Sequence, residues 1–354
     1  MKKSHLILAD ILKLALGNKK SINIPTECTW KDVRALAERQ GVQAIAFDGI
    51  QQLPKQNLPD KDLVLEWFGQ VRCMECIYEK YITAIRTLGE FCNQQYVPVL
   101  LLKGYGCSLN YPVPSHRPCG DIDIYLGKYK SFVEKLVTDK GSDIDYTNEH
   151  HSVFTYKGFV IENHETILDV NSHKSNVCIN QLLEQLAEES IKNGREALEV
   201  IIPSSKFNSI HLLRHMASDF ASVRTTLRHV LDWSTFVMKN DVDWVFVHEV
   251  AHNSNMDKFL DAINGICVHY LGYPEEKFPI EVSNKGLEER VLNEILTCED
   301  QVDAPQGYMP FSEKLRYGIT KTKRLWKNRW KYKIVYDESL FESFVWKARN
   351  RWRH

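Results

Sequence analysis

At 354 residues, 44% hydrophobic and 26% charged, the chain has room for two or three packed domains, which excludes the disordered and collagen-like classes. Formal net charge is −1, yet residues 311–354 hold thirteen Lys or Arg against four Asp or Glu, leaving about −10 on the first 310. A basic, aromatic tail thus follows an acidic body, and no apolar run approaches the length of a membrane span.

The opening MKKSHLILADILKLALG repeats at helical spacing, with Ile7, Leu8, Ile11, Leu12, Leu14 and Ala15 on one face, and does not read as a secretory signal. The nine cysteines (Cys28, Cys73, Cys76, Cys92, Cys107, Cys119, Cys178, Cys267 and Cys298) are odd in number and scattered, so a reduced, cytoplasmic protein is expected. Thr29-Trp30-Lys31-Asp32 has capping-box spacing and opens a helix through about Arg39. A long helical pattern runs from about Lys61 to Gln95, completing an N-terminal helical layer over residues 1–95.

Residues 96–174 read as an α/β core. A buried strand, Val97 to Leu102, meets a Lys103-Gly104 turn into a short helix and a Pro-rich loop. The next strand carries Asp121 and Asp123. Lys128 to Lys140 reads as a helix closed by Gly141, followed by Ile144 to Asn148. Val153 to Tyr156 and Phe159 to His164 then form a hairpin around Lys157-Gly158. From 175 to 310 the pattern is helical, with segments at Ile179–Asn193, Ser205–Phe220, Val223–Met238, Asp243–Ala251, Met256–Leu271 and Leu287–Leu296. Residues 311–354 form the basic aromatic segment. The expected class is α+β, a small mixed sheet flanked by N-terminal and C-terminal helical domains.

Side chains on a strand alternate faces, so Asp121 and Asp123 stand side by side while Ile122, Ile124 and Leu126 enter the core. Adjacent carboxylates repel unless a cation lies between them, which marks a site for a divalent metal and a nucleotide. Nucleotidyl transfer uses such a cation to bridge the triphosphate, and asks for a third carboxylate on a neighbouring strand. Glu162 is the candidate, with His164 on its face. Lys103 and Gly104 suit a phosphate, the glycine by close backbone approach and the lysine by charge. Gly120 precedes the acidic pair, and Arg117 is either a phosphate clamp or an ordinary loop arginine. Arg224 and Arg228, at i and i+4, either reach a nucleotide or line a solvated face.

The run Leu101-Leu102-Lys103-Gly104, Tyr111-Pro112, Arg117-Pro118, Gly120-Asp121-Ile122-Asp123 and Glu162-x-His164 resembles the uncharacterised nucleotidyltransferase family. That family lies in the superfamily of DNA polymerase β and the aminoglycoside nucleotidyltransferases. Arg224, Arg228, Leu231-Asp232-Trp233 and Asp243-Trp244 extend the similarity over roughly residues 95 to 270. The resemblance implies Mg2+ (or Mn2+) held by Asp121, Asp123 and Glu162. It further implies a nucleoside triphosphate such as ATP as substrate, and an acceptor (small molecule, protein or RNA) that the sequence does not name. Most active members of the superfamily have Gly-Ser at the strand–helix turn. Lys103-Gly104-Tyr105 stands there instead, which motivates a second reading, a catalytically silent nucleotide-binding or scaffold protein on the same fold.

Other patterns carry less. His248-Glu249-x-x-His252 matches a zinc-hydrolase motif, yet Val245, Val247 and Val250 make it an ordinary amphipathic helix. Cys73-x-x-Cys76 lies mid-helix without a second pair. Asp143-Ile144-Asp145 repeats the carboxylate spacing without a glycine turn upstream. His211 and His215 read as packing or surface residues. The tail combines charge and aromatics as nucleic-acid binders do, but packing on the acidic body is favoured.

Overall fold

The computed structural model describes residues 2–25, 29–147, 150–222, 224–297 and 310–351. Helices α1 (Lys3–Ala15) and α2 (Trp30–Arg39) pack against α3 (Gln43–Ile50), which packs on α4 (Lys61–Asn93), a 33-residue helix whose start is capped by the Asp60 carboxylate accepting from Leu63 N–H at 3.0 Å. The Thr29 side chain makes no such cap, although α2 begins where its spacing predicts. Trp67 on α4 is fully buried and donates its indole N–H to the Gln43 carbonyl, tying α4 to α3.

Strand β1 (Leu100–Leu101) leads through α5 (Tyr105–Ser108) to β2 (Ile122–Tyr125), then α6 (Lys130–Asp139). The hairpin β3 (His151–Tyr156) and β4 (Phe159–His164) turns through Lys157 (φ 48°) and Gly158 (φ 83°), the two left-handed positions its short loop predicts. The segment expected as a strand at 144–147 contributes one bridge, Asp145 to Val153, and Asn148 lies outside the described residues, as do Cys28 and Cys298.

Helix α7 (Lys174–Asn193) is followed by a second hairpin, β5 (Arg195–Ala197) and β6 (Val200–Ile202), which the sequence reading did not anticipate. Its turn is Leu198 (φ 54°) and Glu199 (φ 62°), so no Gly or Asn announces it. Helices α8 (Ser205–Ser222), α9 (Leu227–Lys239), α10 (Trp244–Asn253), α11 (Asp257–Gly265), α12 (Lys285–Thr297), α13 (Phe311–Val335) and α14 (Leu340–Arg351) complete the chain.

The six strands form one mixed sheet ordered β3-β4-β2-β1-β6-β5. Strand β2 runs parallel to β4 with Asp123 opposite Glu162, and antiparallel to β1 with Ile124 opposite Leu101. Pairing extends past β1, because Leu102 N–H donates to the Asp123 carbonyl at 3.0 Å. Helix α4 crosses the second hairpin closely enough that a Cβ on Gly89 would meet the Glu199 carbonyl oxygen at 2.5 Å.

The basic tail packs on the body. Tyr332, Val335 and Tyr336 are buried, Tyr336 stacks on His173 at 3.5 Å between ring centroids, and Lys331 pairs with Glu294. Buried Arg214 on α8 donates to Asn176 and to the Val335 carbonyl, pinning the end of α13. Trp326, Phe341 and Phe344 remain exposed. Among the described residues no helix is long and apolar enough to cross a membrane.

Candidate functional site

The site starts from a glycine that nothing else can replace. Gly104 sits at φ +58°, and a Cβ there would lie 2.1 Å from the Tyr81 hydroxyl. That hydroxyl in turn donates to the Asp121 carbonyl at 3.1 Å. One buried tyrosine on α4 therefore fixes both the turn after β1 and the entry to β2. The helix that follows Gly104 is a single turn with little macrodipole, so the positive charge at this corner is that of Lys103.

The parallel register of β2 and β4 brings Asp123, Glu162 and His164 together, with one ligand atom from each lying within 4.8 Å of the others. Asp123 is 4% exposed and receives two contacts on the same oxygen, Lys103 Nζ at 3.0 Å and His164 Nε2 at 3.1 Å. Burial alone would raise the Asp123 pKa. The Lys103 ammonium and His164 imidazole outweigh it and hold the carboxyl well below its usual range. Lys103 stays charged for the reciprocal reason: burial opposes its charge, but Asp123 and Asp121 raise its pKa on balance. Glu162 goes the other way. Burial, then the charges of Asp123 and Asp121, push it up to about 7. Asp121 itself is exposed at the mouth. It is outside the 4.8 Å group, yet close enough for Glu162 to feel its charge.

A carboxyl that titrates near 7 rather than about 4.3 costs the metal-free fold up to ~4 kcal/mol once ionised. The cost is absent below the unfolded value, grows as pH rises towards 7, and is complete above it. Glu162→Gln should therefore stabilise the metal-free protein by about 2 kcal/mol at pH 8 and hardly at all at pH 4, read from urea unfolding in chelator. Added divalent cation should close that gap.

The remaining sequence candidates separate. His164 belongs to the group, and its Nδ1 is buried with no hydrogen-bond partner among the described residues. Gly120 is exposed with open space around it, so sterics do not demand a glycine there. Arg117 is buried, and its side-chain ion pair is with Asp232 rather than with Asp121, Asp123 or Glu162. Its Nε and Nη2 donate to the two oxygens of Asp232 at 2.7 and 2.9 Å, and Nη1 donates to the Pro118 carbonyl. A guanidinium so committed is a strut between the acidic loop and α9. Arg228 lies at the start of α9 with Nη2 3.2 Å from His229 Nε2, and Arg224 donates to the Arg39 carbonyl.

Two further histidines, unremarked in the sequence, stand at the site. His150 and His151 ring His164, at centroid distances of 4.8 and 5.3 Å. Burial and the neighbouring imidazoles hold His150 down at about 2, hence neutral. From α8, buried His211 and also His215 sense Lys103 and Asp123, which places that helix beside the same cleft. His211 is packed, one of the two outcomes the sequence allows it, and His215 shares an α8 face with Asp219 at i, i+4.

His248 and His252 diverge. His248 is largely buried beside Glu281, whereas His252 is 81% exposed beside Asp257, and neither joins a metal-competent group among the described residues. A family model described as an uncharacterised nucleotidyltransferase matches residues 26–272. No curated protein and no solved structure gives a significant match.

Proposed function

The chain belongs to the uncharacterised nucleotidyltransferase family, and we propose that it transfers a nucleoside monophosphate from a nucleoside triphosphate to a hydroxyl acceptor. The observation that carries this is the meeting of Asp123, Glu162 and His164 across parallel strands, with Asp121 at the mouth and Lys103 alongside. Such an oxygen-rich set with one imidazole suits Mg2+ or Mn2+, and a cation there would offset the burial and the Asp123 and Asp121 charges that together push Glu162 up to about 7. When bound, the cation supplies charge neutralisation at the triphosphate and polarises the α-phosphoryl group.

The chain's own residues supply the rest. Lys103, salt-bridged to Asp123, can turn its ammonium to a phosphate oxygen without leaving the site. Glu162, on the neighbouring strand, takes the acceptor hydroxyl's proton as that oxygen bonds to the α-phosphorus and pyrophosphate leaves. His164 holds the Asp123 carboxylate in orientation through Nε2. In this reading Arg224 and Arg228 meet the outer phosphates only by leaving their present partners, the Arg39 carbonyl and His229. One contact favours the silent alternative. Lys103 Nζ lies against the Asp123 oxygen that a cation would use.

Calorimetry with ATP should show binding that requires Mg2+ or Mn2+ and disappears in Asp121→Ala with Asp123→Ala. Labelled nucleoside triphosphates offered with small-molecule, protein and RNA acceptors should then give a labelled product. Binding indifferent to both metal and the two substitutions would sink the proposal, while metal-dependent binding with no product in any acceptor class would leave the silent reading.

A further inference from the structure

We propose that His215, Asp219 and His229 form a second metal site, distinct from the carboxylate pair, that takes a divalent ion of the Zn2+ or Co2+ class. His215 and Asp219 share one face of α8 at i, i+4, and His229 comes from the first turn of α9. One ligand atom from each lies within 4.8 Å of the others. His215 Nε2 is 3.4 Å and His229 Nε2 is 3.3 Å from the same oxygen, Asp219 Oδ2. Those separations are long for hydrogen bonds between imidazole and carboxylate. They match the edge of a tetrahedron, about 3.3 Å, whose centre makes bonds of roughly 2.0–2.1 Å to nitrogen and oxygen.

Both ring nitrogens of His229 face obligate donors: Arg228 Nη2 lies 3.2 Å from Nε2, and the Thr226 backbone N–H donates to Nδ1 at 3.1 Å, closing the capping box at the start of α9. The Thr226 hydroxyl oxygen is also 3.1 Å from Nδ1 and offers the ring an acceptor there when Nε2 takes an ion in place of Arg228. One turn earlier on α8, His211 is 2% exposed and its Nδ1 has no hydrogen-bond partner among the described residues, its ring centroid 6.2 Å from that of His215. Two imidazoles and one carboxylate favour a borderline-soft transition ion over Mg2+, which separates this site chemically from Asp121, Asp123 and Glu162.

Equilibrium dialysis with Co2+ and with Zn2+, together with the visible spectrum of bound Co2+, tests the assignment. The full chain should bind two ions, and Asp121→Asn with Asp123→Asn and Glu162→Gln should retain one, with the Co2+ band unchanged. His215→Ala or Asp219→Asn should weaken that remaining ion by ~100-fold and remove the band. Arg228→Ala should tighten it about 10-fold by removing a competing positive charge, a gain that misfolding does not produce. A single ion lost with the carboxylates, and untouched by His215→Ala and Asp219→Asn, overturns this site while leaving the transferase reading intact. An ion lost with Asp219→Asn but insensitive to the carboxylate substitutions does the reverse.

Discussion

Asp121→Asn is expected to lower nucleotidyl transfer by ~10³-fold with the melting temperature unchanged, whereas Asp123→Asn should lose both rate and stability. The rate loss follows from the worth of a cation at the reacting phosphoryl group, several kcal/mol, of which about 4 corresponds to a thousandfold. The split in stability follows from burial. Asp121 is exposed, so its amide isostere leaves no partner stranded. Asp123 is 4% exposed and anchors Lys103 Nζ and His164 Nε2 on one oxygen. Its neutral replacement leaves a buried ammonium without its counter-charge, at a cost of about 2–3 kcal/mol, softened if Lys103 releases its proton. Transfer measured at saturating metal, beside thermal unfolding, distinguishes the two. Equal destabilisation by both substitutions would contradict the burial argument, and an active Asp121→Asn would remove that residue from the cation set.

Much of this arrangement was legible because local chemistry and tertiary placement agree. The period-2 pattern around Ile122 and Ile124 predicts where Asp123 sits, and the Lys157-Gly158 turn predicts the hairpin that carries Glu162. Parallel pairing of β2 with β4 is a long-range event that no window of sequence states, yet it alone sets Asp123 opposite Glu162. The second hairpin stayed hidden because Leu198 and Glu199 adopt left-handed conformations that glycine or asparagine would ordinarily signal. Arg117 shows what local sequence leaves open. A loop arginine before two aspartates invites a phosphate role, but its partner Asp232 lies 115 residues away on α9. The cluster of His215, Asp219 and His229 needs two helices to meet, so spacing along α8 gave only half of it.

Asp232→Ala is expected to cost about 3–5 kcal/mol, the largest stability effect of any single change discussed. The Asp232 carboxylate accepts from Arg117 Nε and Nη2 at 2.7 and 2.9 Å and from the Tyr111 hydroxyl at 2.6 Å, all three groups being buried. Burial acting alone would raise its pKa, but Arg117 reverses that and keeps it ionised. Removing the carboxylate strands a guanidinium that cannot shed its proton and a hydroxyl that has lost its closest acceptor. Because the pair joins the loop before Asp121 to α9, the same change should loosen the acidic strand and raise the apparent metal Kd. The double variant Arg117→Met with Asp232→Leu should recover most of the lost stability, since well-packed apolar groups replace a buried ion pair at little cost. Nucleotide affinity in that double variant decides the role of Arg117. A strut predicts affinity close to that of the unaltered chain once folding is restored. A phosphate clamp predicts a recovered fold with affinity still lost, at least tenfold weaker in calorimetry with the metal–nucleotide complex.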